Sequence, residues 1–138
     1  MIHRKRSRRD AFLILYQWEV SGEDLEQVFE SFYRCFKAHS ERRRYSKMLI
    51  RLFKENIESV EKKLAESLIE RDPMGIGSIE RAILRVAITE LGFKKISKVD
   101  KAVGDYIKLA SRYADSGQVK LVSGVLMGFV RRLSFPEP

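Results

Sequence analysis

Five of the first nine residues, Arg4, Lys5, Arg6, Arg8 and Arg9, are cations, and they pose the first chemical question. Guanidinium groups fork onto phosphate oxygens and stack on flat bases, so a cluster weighted toward arginine suits nucleic acid. Runs of this kind also occur as disordered, solubilising tails. Here the cluster leads straight into Phe12, Leu15 and Tyr16 at helical spacing, with Ala11 and Trp18 flanking them. That phase predicts charge held on a defined surface. Cations at a helix N-terminus oppose the helix dipole, so helix stability gives no reason for them.

No other set of residues reads as reactive. Cys35 is the single cysteine; it stands among Phe32, Tyr33 and Phe36 and is expected to be a small buried hydrophobe. His39, one turn on, is its only local base, and nothing else supports a nucleophile. His3 and His39 have no cysteine or carboxylate set at ligand spacing, so no metal site is expected. Glu58 and Glu61 lie on a charged helical face and read as solvated. Gly75-Ile76-Gly77 resembles half of a dinucleotide fingerprint, but it follows no strand and lacks the third glycine, which makes it a loop. The expectation is a protein with no catalytic residue, no metal and no cofactor.

Composition agrees with an acidic partner. There are 27 basic residues against 19 acidic ones, a net charge of +8 and a pI near 9.7. The charge is segregated: Arg34 to Lys54 holds eight bases and one acid, Glu41, whereas acids gather from Glu55 to Asp72. A hydrophobic fraction of 44% is enough for a real core, and no apolar run is long enough to cross a bilayer. With no secretory signal at the start, cytoplasmic residence is the expectation.

The elements that must position these residues are helices. Periodicity predicts one from about Arg6 to Val20, stopped by Ser21-Gly22, and a second from about Asp24 to Ala38. A third begins after Ser40 and continues through Leu68, with a break near Asn56 to Ser59. Arg71-Asp72-Pro73-Met74-Gly75-Ile76-Gly77 is a loop, after which Ser78 is the expected N-cap of a strongly apolar helix ending near Leu91-Gly92. Helices from Lys98 to Tyr113 and from Gln118 to Leu133 follow, with Phe135 to Pro138 as a frayed tail. The fold class is all-α, with six or seven short helices in two packed small bundles. The amino-terminal lobe covers about residues 4–70 and the carboxy-terminal lobe about 76–134, within one domain spanning 1–138. A helix-turn-helix DNA reader is disfavoured because the helix after Gly75 is apolar around most of its circumference. Single-stranded RNA contact needs cations beside aromatics, which Tyr16 and Tyr113 could supply, although either could equally be core.

The residues at this point resemble a known family. Arg8-Arg9-Asp10-Ala11-Phe12-Leu13-Ile14-Leu15-Tyr16 is similar to the Arg-x-x-Ala-x-x-x-Leu-Tyr of the NusB transcription-antitermination factors. Ile79-Glu80-Arg81-Ala82-Ile83-Leu84-Arg85-Val86-Ala87-Ile88-Thr89-Glu90-Leu91 is close to that family's most recognisable helix. Leu109-Ala110 through Tyr113, then Val122-Ser123-Gly124-Val125-Leu126, resemble its closing segments in order and separation. The chain departs from the pattern at Gly104-Asp105, where the family usually carries Asn-Glu. It departs again at Ser123 and Met127, where the family has Asn and Asp. Gly104 is expected to mark close packing against the last helix.

The resemblance implies two small helical bundles that bind boxA-type RNA as a heterodimer with NusE, a small-subunit ribosomal protein. It implies indirect contact with RNA polymerase and other Nus factors, and it allows a homodimer that hides the RNA surface until NusE arrives. By resemblance, the RNA surface comprises Arg4, Lys5, Arg6, Arg8, Arg9, Tyr16, Tyr113, Gly117, Gln118 and Lys120. Glu80 and Arg85 would meet the protein partner. Two other readings remain open: a NusB-like accessory domain serving an rRNA methyltransferase, and a helical adaptor whose basic face meets an acidic protein. With the chain ending at Pro138 and no glycine-rich cofactor loop, the free-standing factor is expected.

Overall fold

A computed structural model describes residues 2–68 and 76–134. Among these residues there are seven helices and no strand: α1 (Ile2–Ser21), α2 (Leu25–Arg34), α3 (Ser40–Glu55), α4 (Ile57–Leu68), α5 (Ser78–Phe93), α6 (Val99–Tyr113) and α7 (Ser116–Ser134). Most of the expected loop, 71–75, and the expected tail, 135–138, lie outside the described residues.

Local chemistry explains most of the boundaries. Gly22 ends α1 in the left-handed conformation (φ 74°), and its N–H donates to the Trp18 carbonyl at 3.0 Å. Asp24 caps α2 by accepting from the Gln27 N–H. Asn56 closes α3, its side-chain amide donating to the Leu52 carbonyl at 2.9 Å, and so produces the break anticipated between α3 and α4. Two boundaries move from their expected places. α1 starts at Ile2 rather than Arg6, which sets Arg4, Lys5 and Arg6 on the helix itself. Gly77, not Ser78, occupies the N-cap of α5, and the Glu80 carboxylate takes up the Gly77 N–H at 2.7 Å.

The fold is built around α5. Every residue from Ala82 to Leu91 is buried, and the helix packs against α1, α3, α4, α6 and α7. One continuous apolar cluster runs through all seven helices, from Phe12 and Leu15 on α1 to Leu126 and Phe129 on α7. Each fully buried aliphatic or aromatic side chain in it contributes about 1.5–3 kcal/mol. The apolar surroundings make the charges inside them decisive.

The central charge cluster joins four helices. Arg8 donates from Nε and Nη2 to the two carboxylate oxygens of Glu90 at 2.7 and 2.8 Å, and from Nη1 to Asp105 at 2.9 Å. The hydroxyl of Tyr106 donates to Glu90 Oε1 at 2.6 Å, and that of Tyr45 donates to Oε2. Thus α1, α3, α5 and α6 meet on one carboxylate that is fully buried. Burial by itself would raise the Glu90 pKa; the hydrogen bond and charge of Arg8, with the two phenols, outweigh it and lower the value. Burial and then the Glu90 charge raise both tyrosine pKa values above the ordinary range.

Two further pairings fasten α1 along its length. Asp10, fully buried, accepts two bonds from Arg42 at 2.6 and 2.8 Å and one from the Tyr33 hydroxyl at 2.7 Å. Glu19 accepts from Arg81 at 2.6 Å and from Arg85 at 3.1 Å, binding the far end of α1 to α5.

Replacing Arg8 with Met should destabilise the fold by about 3–5 kcal/mol in urea denaturation, because two carboxylates lose their buried cation. The sign of the pH dependence follows from the Glu90 shift. A lowered folded pKa makes its stabilisation complete above the ordinary value of 4.5 and removes it as pH falls through the folded value. The raised tyrosines act oppositely, stabilising below the ordinary value of 10.0 and losing that contribution as pH rises through their folded values. Thermal melts across pH should therefore show a plateau between the two limbs, and Glu90→Gln should flatten the acid limb.

Candidate nucleic-acid interface

The buried Arg8–Asp105 pair sets α1 beside α6, and this packing creates the basic surface. On α6, Lys101, Asp105, Lys108 and Arg112 recur at i, i+4, i+7 and i+11 and so share one face. On α1, Lys5, Arg9 and Tyr16 also share a face. Where the helices meet, Lys5, Arg6, Arg9, Lys108 and Arg112 line an open groove of about 610 Å³, together with Asp105, Leu109 and Ser111. Asp105 is the one acid in that lining, and its charge is engaged by Arg8. Lys5, Arg6, Lys108 and Arg112 are exposed, and none of the four has an ion-pair partner among the described residues. An arrangement of free cations along an open trough, with little acid to oppose them, favours a polyanion.

The residues singled out from the sequence fall into three groups. Arg4 is exposed on the side of α1 toward α3, and Lys5, Arg6 and Arg9 are exposed or half-buried on the side toward α6. Tyr113 closes that side: its ring meets the buried Phe12 edge-on at 5.1 Å, which brings the end of α6 against the middle of α1. Tyr16 is half-buried and packs on the core. Gly117, Gln118 and Lys120 lie on the first turns of α7, which Asp115 caps by accepting from the Gln118 N–H at 2.9 Å. Gly117 and Lys120 are exposed.

Arg8, Glu80 and Arg85 are placed differently from the expectation. Arg8 is 4% exposed and all of its hydrogen bonds go to internal carboxylates, so it presents no charge to a ligand. Its spacing carried the signal: Arg8 stands i−3, i−4 and i−7 from Ala11, Phe12 and Leu15, in phase with the core. Glu80 is buried and engaged at the N-terminus of its own helix. Arg85 is buried between Glu61, at 2.7 Å, and Glu19, over the face of Trp18. Neither offers a free charge for docking in the unpartnered chain.

Other expectations also change. Gly104 is not a close-packing glycine, since a Cβ built there meets nothing within 4 Å. Gly104 and the 55% exposed Met127 instead line one shallow hollow between α6 and α7. Cys35 is exposed at the end of α2 rather than buried. His3 and His39 stack at 4.3 Å, and with Glu41 they bring ligand atoms within 4.8 Å of one another, a juxtaposition that spacing along the chain does not reveal. The His39 Nδ1, however, accepts the Glu41 N–H as the cap of α3. Sequence reasoning missed Lys108 and Arg112; the i, i+4 repeat of cations on an amphipathic helix was the available signal.

Residues 5–131 match the model of the NusB family. The chain belongs to the NusB family. The transcription antitermination protein NusB of Aquifex aeolicus is 31% identical over 132 residues, covering 91% of this chain and 86% of the relative. That of Haemophilus influenzae strain PittEE is 32% identical over 123 residues, covering 89% and 85%. Among solved structures, a chain in the crystal structure of antitermination factors NusB and NusE in complex with dsRNA superposes with a TM-score of 0.84. It is 30% identical, with 95% of this chain and 98% of that one covered. A chain in the crystal structure of a plectonemic RNA supercoil gives a TM-score of 0.90 at 28% identity, covering 99% and 100%. This member of the NusB family keeps an acid at position 105 despite its departure from Asn-Glu, and that acid is the one Arg8 holds.

Because Glu80 is engaged with the Gly77 amide, Glu80→Ala should cost roughly 1 kcal/mol of stability through loss of the cap. A chemical denaturation midpoint identical to that of the parent would show that the cap contributes nothing.

Proposed function

We propose that this NusB-family chain is an RNA-binding transcription antitermination factor. It binds boxA-type RNA together with NusE and supports ribosomal RNA transcription alongside RNA polymerase and other Nus factors. The observation that carries this reading is the α1–α6 groove, where Lys5, Arg6, Arg9, Lys108 and Arg112 surround a single acid already paired with Arg8. The mechanism is assembly: the cations neutralise phosphates, and Tyr113 at the end of the groove offers a ring edge and face to bases. Arg4, Gln118 and Lys120 extend the RNA surface to either side, and Gly117 leaves the backbone of the α7 start open to it.

Protein docking is assigned to the side of α5 that carries Arg81 and Arg85 with Glu61 and Glu19. These ion pairs are only partly enclosed, with Glu61 40% and Arg81 32% exposed, so a partner could exchange them. Glu80 supports that face by ordering the helix start. The chain acts where transcription occurs, in the cytoplasm; among the described residues no helix is long and apolar enough to cross a membrane.

Replacing Arg6, Arg9, Lys108 and Arg112 together with Ala tests the groove by fluorescence anisotropy on boxA RNA. Affinity should fall, and the slope of log K against log salt should become shallower by about 0.7 for each phosphate that is no longer neutralised. Helicity should be unchanged, since none of these side chains belongs to the core. Unaltered affinity and slope would remove the groove from the RNA surface.

A further inference from the structure

The groove between α1 and α6 is not the last cationic hollow beside α1. Around the start of α1, on the side facing α3, His3, Arg4, Glu41, Arg44, Tyr45, Met48 and Lys94 enclose a second one of about 340 Å³. It draws on α1, on α3 and on Lys94 just after α5, so three separate segments build it. Arg4 belongs both to this hollow and to the neighbouring one lined by Lys98 and Lys101. Arg4 therefore links the cations of α6 to those beside α3 around the amino terminus of α1.

From this geometry we infer that the hollow is a nucleotide-binding pocket that takes one base and its phosphate from RNA extending beyond the α1–α6 groove. The inference rests on the RNA-binding reading above. The Arg4 guanidinium lies over the Tyr45 ring, 4.7 Å from its centroid. Tyr45 is itself held by its hydroxyl bond to the buried Glu90. Arg4 is thereby steadied on an aromatic platform that is anchored to the central charge cluster, and an exposed arginine plane held in this way suits stacking of a base. Arg44 and Lys94 stand on the same hollow, with no ion-pair partner among the described residues, and suit the phosphate. Glu41, the acid of the lining, can accept from a base amino group or a ribose hydroxyl.

A cation is the competing occupant, since His3, His39 and Glu41 approach one another here. The electrostatics oppose it. Arg4, Arg44 and Lys94 share the lining with one carboxylate, and His39 Nδ1 is engaged in capping α3. A ligand bearing negative charge answers both facts.

The pocket also gives a role to part of the basic stretch from Arg34 to Lys54 that the α1–α6 groove leaves unused. Arg42, Arg43 and Lys54 of that stretch are paired with Asp10, Glu30 and Glu26. Arg44, Lys47 and Arg51 are exposed, have no ion-pair partner among the described residues, and recur at i, i+3 and i+7. They make a ridge about 10 Å long leading away from the pocket.

The test compares boxA RNA with the same RNA carrying oligouridine extensions at both ends, for the parent chain and for Arg44→Ala/Lys94→Ala. The parent should bind the extended RNA about tenfold more tightly, within the range that one stacked base contributes. In the double variant that gain should vanish and the salt slope on extended RNA should fall by roughly 1.4, the share of two phosphates. Binding of the unextended RNA should not change. Lys94→Glu should reproduce the loss of the gain, and far-UV circular dichroism should match the parent. No gain from the extensions in the parent, or a gain that survives the double substitution, would overturn the pocket while leaving the α1–α6 groove in place. A variant with unaltered RNA binding but weakened capture of NusE would overturn it in favour of a protein contact. Failure of unextended boxA RNA to bind the parent, with extended RNA still captured through Arg44 and Lys94, would instead count against the groove.

Discussion

The structure depends on one buried ion cluster. Glu90 sits on the most enclosed helix of the fold, where an unpaired carboxylate is prohibitively costly. Arg8 resolves that cost with a forked pair of hydrogen bonds, and Tyr45 and Tyr106 occupy the remaining acceptor directions. The consequence reaches well past stability. A buried pair is a poor source of net folding energy, yet removing one partner is heavily penalised, so the pairing restricts which helix arrangements are allowed. α1 must lie where Arg8 reaches both α5 and α6. Once it does, the other cations of α1 are aimed outward beside those of α6.

That constraint explains how one end of the chain can be so rich in arginine. Arg8 faces inward and is neutralised; its neighbours Lys5, Arg6 and Arg9 face the groove. Self-repulsion among the groove cations opposes folding, and the apolar cluster around α5 offsets it. Asp105 follows the same logic. It is an acid within a groove lined by cations, and Arg8 engages its charge. Farther along α1, Asp10 and Glu19 repeat the arrangement with Arg42, Arg81 and Arg85, so that three internal charges fix the helix along its length.

Much of this is legible in the sequence, for reasons that differ by element. Helical periodicity places every helix, and Asn56 and Gly22 punctuate the chain where their side chain or backbone freedom predicts. The start of α1 is not legible, because a run of cations carries no apolar period and the helix dipole argues against helix there. Arg8 misleads when it is counted by type, whereas its phase with Phe12 and Leu15 points inward. The complementary sign is Glu90, an acid in the buried stretch of α5, which requires a buried cation from elsewhere. Glu80 and Arg85 are visible as charges on a recognisable helix, but their intramolecular partners, the Gly77 amide and the carboxylates of Glu61 and Glu19, are not. Gly104 and the meeting of His3 with Glu41 depend on tertiary neighbours and leave no trace in spacing. The joining of Lys108 and Arg112 to the amino terminus is half visible, as a cationic face lacking a known neighbour.

One spectrum separates an ordering role for Arg8 from a binding role for the cations around it. Side-chain and backbone NMR of the labelled chain, titrated with boxA RNA, should show large shifts for Lys5, Arg6, Arg9, Lys108 and Arg112. The Arg8 Nε–H signal should be slowly exchanging, as a buried hydrogen bond requires, and should stay in place throughout. An Arg8 signal that exchanges freely with solvent, or that moves with the RNA as far as those of Arg6 and Arg9, would contradict the account.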